Sequence, residues 1–160
     1  MKRCLDFEAL EGRRLMTGAT QFSGVGESPG ECTGIGADPG WALSIDMEGS
    51  LSGCLYSYPS TFEQSPSGTY RETGVEMFVE LDATDEVLGT FETTYLFTAK
   101  YELLENGEID FDNEIQGRCQ HPITAGSGTG KYEEVTGRID FKDDIANGNF
   151  PFRGHLRSLY

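Results

Sequence analysis

Between Gly89 and Leu103 the chain reads GTFETTYLFTAKYEL, in which Phe91, Tyr95, Phe97, Ala99, Tyr101 and Leu103 fall on every second position with Glu, Thr and Lys mostly between them. A period of two is the mark of an extended strand with one dry and one wet face. Slipping such a row by one residue would expose aromatic side chains whose burial is worth roughly 1.5 to 3 kcal/mol each, so the register is strongly specified. The same alternation recurs along the chain. Leu43, Ile45, Met47, Leu51 and Leu55 form one row, and Val75, Met77, Val79 and Leu81 another opposite Glu76 and Glu80. From Glu108 to His121, Ile109, Phe111, Ile115 and Cys119 share one face, and Glu108, Asp110, Asp112, Glu114, Gln116 and Arg118 the other. Ile139 and Phe141, then Phe150, Phe152 and Leu156, complete at least six strands. Turn chemistry separates them: Ser65-Pro66-Ser67-Gly68, Glu105-Asn106-Gly107, Gly126 to Gly130 and Asn147-Gly148. Gly after Asn supplies the positive φ of tight hairpins, so neighbouring strands are expected to pair antiparallel. No segment longer than about ten residues carries a helical period. A sheet of this size must close or stack to hide its edges, which leaves a barrel or a sandwich.

A length of 160 residues fits one domain with one core. Twelve basic against 27 acidic residues give a formal charge of -15, which would repel a phosphate backbone or an anionic bilayer over most of the surface. Nucleic acid is therefore not an expected partner. No stretch reaches the ~18 consecutive apolar residues of a membrane helix, so no integral helical membrane association is expected. Cys4, Cys32, Cys54 and Cys119 lack zinc-type spacing, and no metal or cofactor is expected. In an oxidising compartment one disulfide can form among Cys32, Cys54 and Cys119, and three pairings are open.

The N-terminal segment, residues 1–18, carries four of the twelve basic residues and is too interrupted for the apolar region of an ordinary signal peptide. Its stretch Phe7 to Thr17, FEALEGRRLMT, resembles a motif at the N-termini of bacterial exported or surface proteins, written around a Phe-Glu-x-Leu-Glu-x-Arg-x-Leu-Leu core. Phe7, Glu8, Leu10, Glu11, an Arg at 13 or 14 and Leu15 match, while Ala9 and Met16 depart from it. The resemblance implies an extracytoplasmic protein, secreted or in the cell envelope. The expected organisation is an export or sorting segment at 1–18, a Gly-rich linker at 19–29 and a β domain at 30–160.

Gly126, Gly128 and Gly130, then Tyr132, Val135 and Gly137, the row of Ile139 and Phe141, and finally Phe150, Phe152 and Gly154 together resemble the C-terminal part of the allene oxide cyclase and dirigent type of barrel. The resemblance spans about thirty residues and concerns how a barrel turns its corners and closes. It implies a single antiparallel β-barrel of about eight strands, calycin-like, with a β-sandwich as the alternative. In that family the barrel surrounds an apolar cavity, which in some members isomerises or orients hydrophobic small molecules. No residue of this chain matches the cyclase catalytic set, and none is carried over.

Other motifs fail on their own chemistry. GSGTGKY lacks a phosphate loop's requirements, because Ala125 and Tyr132 stand where Gly and Ser or Thr are needed. Gly26-Glu27-Ser28-Pro29-Gly30 has the G-x-S-x-G spacing without the strand and helix that a nucleophile elbow requires. Asp110, Asp112, Asn113 and Glu114 lack the Gly of a calcium loop, and alternation explains their spacing. More informative are polar residues in phase with apolar rows. His121 follows Cys119 and Asp143 follows Phe141, so both are expected to point inward near strand ends, where they could act as an acid and base pair or orient a ligand. Tyr95, Phe97, Tyr101, Phe111, Cys119 and Phe152 are the candidate ligand-binding residues; Trp41, Tyr56 and Tyr58 are further candidates for lining a cavity. The expected function is binding of a hydrophobic small molecule or a structural role. The alternatives are an isomerase or cyclase-like enzyme using His121 and Asp143, and a protein-interaction module. Lumen size discriminates: if Phe91, Tyr95, Phe97, Phe111, Phe141 and Phe152 fill the interior, no ligand fits.

Overall fold

The computed structural model describes residues 19–158. The N-terminal motif lies outside the described residues. Nine strands follow in order: β1 (Thr20–Glu27), β2 (Leu43–Gly49), β3 (Gly53–Gln64), β4 (Thr69–Leu81), β5 (Val87–Leu103), β6 (Ile109–Pro122), β7 (Thr129–Gly130), β8 (Val135–Lys142) and β9 (Phe150–Ser158). All pairings are antiparallel, in the order β4-β3-β2-β1-β9-β8-β6-β5, and β4 pairs again with β5. Eight strands therefore close a barrel-like ring, and the short β7 adds to β5 at its edge. Closure removes the free edges that a two-sheet sandwich would keep. Residues 19–29, read above as a linker, hold β1, which bridges β2 and β9 and is needed for closure. Its apolar positions are thinned by Gly24 and Gly26, which hides it from a pattern search. A Cβ at Gly24 would run into the Phe152 ring, so glycine there lets that ring lie against the strand.

One end of the ring is packed solid. Phe78 and Phe91 stack with ring centroids 4.6 Å apart, and Tyr132 meets both edge-on at 5.5 and 5.2 Å. Phe22, Met47, Leu55, Ile139 and Phe152 fill the space around them. Each buried ring stabilises by roughly 1.5 to 3 kcal/mol.

Two rows differ from the sequence expectation. On β4 the inward side chains include Tyr70, Glu72, Glu76 and Phe78, with Gly74 between the two glutamates, while Val75 is exposed and Met77 and Val79 lie on the outer face. The cause is an outer layer. Residues 28–42 fold over the outside of β3 and β4, where Gly34 N–H donates to Tyr56 Oη at 2.9 Å, Tyr58 Oη donates to Asp38 O at 2.7 Å and Trp41 packs on Tyr56 at 5.4 Å. Val79 and Tyr56 are buried beneath this layer, so β4 has dry patches on both faces and alternation cannot tell them apart. Trp41, Tyr56 and Tyr58 thus belong to the outer layer, not to a lumen. A disulfide between Cys32 and Cys54 fastens the layer to β3, and Cys119 is a buried free thiol. On β6 the pairing skips Ile115, since Lys100 faces Gln116 and Tyr101 faces Glu114. This bulge turns Glu114 toward the interior and leaves Ile115 half exposed, the reverse of the expected row.

The disulfide fits an oxidising compartment. Among the described residues no helix is long and apolar enough to cross a membrane.

Candidate functional site

The other end of the ring is hollow. A cavity of about 400 Å³ opens there, with walls from β2 to β6 and the β8–β9 end and with the exposed Leu43 and Phe111 at its rim. The interior is therefore not filled by the aromatic residues that could have closed it.

At its floor lies His121, 2% exposed, beside Glu76, 3% exposed. Parity along β6 puts Cys119 and His121 inside once the bulge has been passed, and the β4–β5 register sets Glu76 opposite Thr93. Three donors converge on Glu76: Ser57 Oγ to Oε1 at 2.9 Å, Thr93 Oγ1 to Oε2 at 2.8 Å, and His121 Nδ1 to Oε2. A carboxylate so surrounded acts as an acceptor, which makes Nδ1 of His121 the protonated nitrogen. Nε2 is then the reactive end of the ring. It is buried and has no hydrogen-bond partner among the described residues. Tyr95 stacks on the imidazole at 6.1 Å and Phe141 meets it edge-on at 4.9 Å, so its orientation is fixed from both sides.

Closer to the mouth, Glu72 accepts hydrogen bonds from Tyr95 Oη at 2.6 Å and Tyr70 Oη at 2.6 Å. Burial, and then these bonds to Glu72, raise both phenols well above their ordinary range. Tyr101 is pushed up to about 12, first by burial and then by the charges of Glu114 and Asp143. Those two carboxyls converge over Gly117, where a Cβ would collide with both. Burial raises Glu114 to about 7, helped by the hydrogen bond and charge of Asp143; burial raises Asp143 also. Glu114 Oε1 is buried without a donor when both groups are ionised, and one shared proton supplies it. Cys119 is held as a thiol, its value raised by burial first and then by Glu76, Asp143 and Glu72. It acts as apolar wall, since only the thiolate is a nucleophile.

The site candidates read from the sequence are largely brought together. His121, Asp143, Tyr95, Phe97, Tyr101, Phe111 and Cys119 all line this cavity. Phe152 does not; it packs between Phe22 at 6.2 Å and Phe141 at 5.4 Å, in the filled part of the ring. The partner of His121 is Glu76, whereas Asp143 is partnered by Glu114. Glu72, Glu76 and Glu114 were overlooked because acidic residues alternating with apolar ones read as a wet face. Phe78 and Gly74 standing in phase with Glu72 and Glu76 were the available signal. Cys32, Asp46 and Cys54 bring ligand-type atoms within 4.8 Å of one another, but both sulfurs are spent in the disulfide.

No known family model, curated protein or solved structure matches the chain.

Proposed function

We propose that the protein is an exported small barrel whose lumen binds a small molecule with an apolar body and one polar group. The observation that carries this reading is a hollow, largely aromatic-walled cavity with His121 at its floor, whose buried Nε2 has no hydrogen-bond partner among the described residues. A buried polar group left unpaired costs about 1 to 3 kcal/mol, and a ligand that pairs with it recovers that cost. The cavity volume falls within the range of small-molecule sites. The N-terminal motif and the disulfide support export. The resemblance to the allene oxide cyclase and dirigent barrels supports lumen binding.

Ligand-observed NMR with a neutral bicyclic aromatic such as 2-naphthol tests the reading. Saturation transfer to the probe is expected with the native chain and its loss with Cys119→Phe, which fills the cavity. Equal transfer in both would place the binding elsewhere and remove the reading.

A second reading, proton transfer on a bound substrate, is favoured by a specific pairing. His121 Nε2 can take a proton while Glu76 stabilises the resulting imidazolium, and the raised Glu114 and Asp143 pair can hold one in the same cavity. Exchange of a ligand C–H for deuterium in heavy water, abolished by His121→Gln, is its expected signature; exchange that persists in the variant would reject it.

A further inference from the structure

The lumen has a charge that an ordinary apolar-ligand pocket lacks. Four carboxyl groups line it, those of Glu72, Glu76, Glu114 and Asp143, and among the described residues no Lys or Arg does. The cations of this part of the sheet are on its other side: Lys100, Arg118, Arg138, Lys142 and Arg153 line a concave outer face of β5, β6, β8 and β9. Alternation along each strand separates these four carboxyls, facing in, from these cations, facing out, where Asp140 pairs with Arg138. Two of the inner carboxyls are held by neutral donors, phenols on Glu72 and hydroxyls on Glu76, which leave their negative charge uncancelled, while Glu114 and Asp143 share a proton. Among the described residues His121 is the one basic group lining the lumen, and with Nδ1–H directed to Glu76 its Nε2 can serve as a hydrogen-bond acceptor. Aromatic rings make up much of the remaining wall, beside Leu43, Ile45, Pro59 and Cys119, and aromatic faces attract cations as well as apolar groups.

Resting on the lumen-binding reading, we propose that the ligand is a protonated organic amine carried on an aromatic or alicyclic body. Its ammonium N–H donates to His121 Nε2 and its positive charge is offset by the lumen carboxylates. Its ring packs among Tyr95, Phe97, Tyr101 and Phe111. A carboxylate or phosphate ligand would meet the same groups as a repelling wall, and a neutral alcohol would gain the hydrogen bond without the charge. An amine with at least one N–H is favoured over a quaternary ammonium, because only the former can satisfy Nε2.

The test is calorimetric titration of the full chain at pH 7 with three isosteric sets built on benzyl, cyclohexylmethyl and naphthylmethyl bodies, each comprising a primary amine, protonated at that pH, the matching alcohol and the matching carboxylate. Saturable 1:1 binding of an amine is expected, at least tenfold tighter than its alcohol, with the carboxylate the weakest. Glu72→Gln should weaken the amine about fivefold or more and leave the alcohol within twofold. Cys119→Phe should abolish saturable amine binding, which separates the lumen from diffuse attraction to an acidic surface. Alcohol or carboxylate binding as tight as the amine would overturn the inference while leaving the lumen reading intact. Failure of every member of all three sets to bind the native chain would overturn both. A trimethylammonium analogue that matches or exceeds the primary amine would overturn the role given to Nε2.

Discussion

Glu76 is the residue around which the interior is arranged, and its environment fixes what its loss should do. Removing the carboxylate leaves Ser57, Thr93 and His121 facing a void with unmatched donors. Glu76→Ala is expected to destabilise by about 3 kcal/mol or more in denaturant unfolding. A loss below about 1 kcal/mol would mean that those donors find other partners. Glu114 gives a pH effect whose sign follows from its surroundings. Its folded value of about 7 lies above the ordinary 4.5, so between these limits the folded chain binds more protons than the unfolded one. This group's contribution to stability therefore falls as pH rises through that window and is at its least favourable above about pH 7. Glu114→Gln cannot ionise, and is expected to flatten the decline in Tm between pH 5 and 7.5 relative to the native chain; parallel profiles would deny the raised value. His121 and Asp143 could be found from sequence parity because each continues an apolar row. Glu76 was masked, because a glutamate flanked by Val75 and Met77 carries the pattern of a solvated face, and only Gly74 and Phe78 in phase with it point the other way.

At the scale of the strand, β5 was legible over most of its length because its outer face is largely wet and its inner face dry, so Phe91, Tyr95, Ala99 and Tyr101 are buried as their spacing requires, while Leu103 at its end is exposed. β4 was misread for the opposite reason: the 28–42 layer dries part of its outer face. β6 was misread from Glu114 to Ile115 because a bulge is a feature of the pairing and leaves no period in the sequence. The β4 register has a direct test. Val75→Lys, on the outer face, should change stability by no more than about 0.5 kcal/mol, whereas Phe78→Ala should cost about 3 to 5 kcal/mol. The reverse order would restore the row of Val75, Met77, Val79 and Leu81 to the interior. The outer layer depends on its covalent link. The loop closed by Cys32 and Cys54 spans a sequence separation of 22, for which chain-entropy arguments give about 3 kcal/mol. Replacing both cysteines with serine should lower the unfolding free energy by that amount, and should also raise the exposure of Trp41, read from its fluorescence. An unchanged midpoint would show that the layer holds without the link.

For the molecule as a whole, closure of eight strands through β4 and β5 produces two unlike halves: one packed by Phe78, Phe91 and Tyr132, the other open around His121. The packed half gives the ring its stability, and the hollow half can then carry buried carboxyls that a fully packed core would not tolerate. Whether a ring would be hollow or filled was not legible in the sequence, because it depends on how the rings of facing strands interdigitate. The central claim is that His121 presents Nε2 to a ligand space. Nitrogen NMR of the His121 imidazole, with and without a bound lumen probe, measures this most directly. A protonated Nδ1 and an unprotonated Nε2 are expected in the free chain, with Nε2 shifting on binding and NOEs linking the probe to Tyr95 and Phe97. Imidazole signals unchanged by a saturating probe, or NOEs only to the outer layer around Trp41, would contradict it.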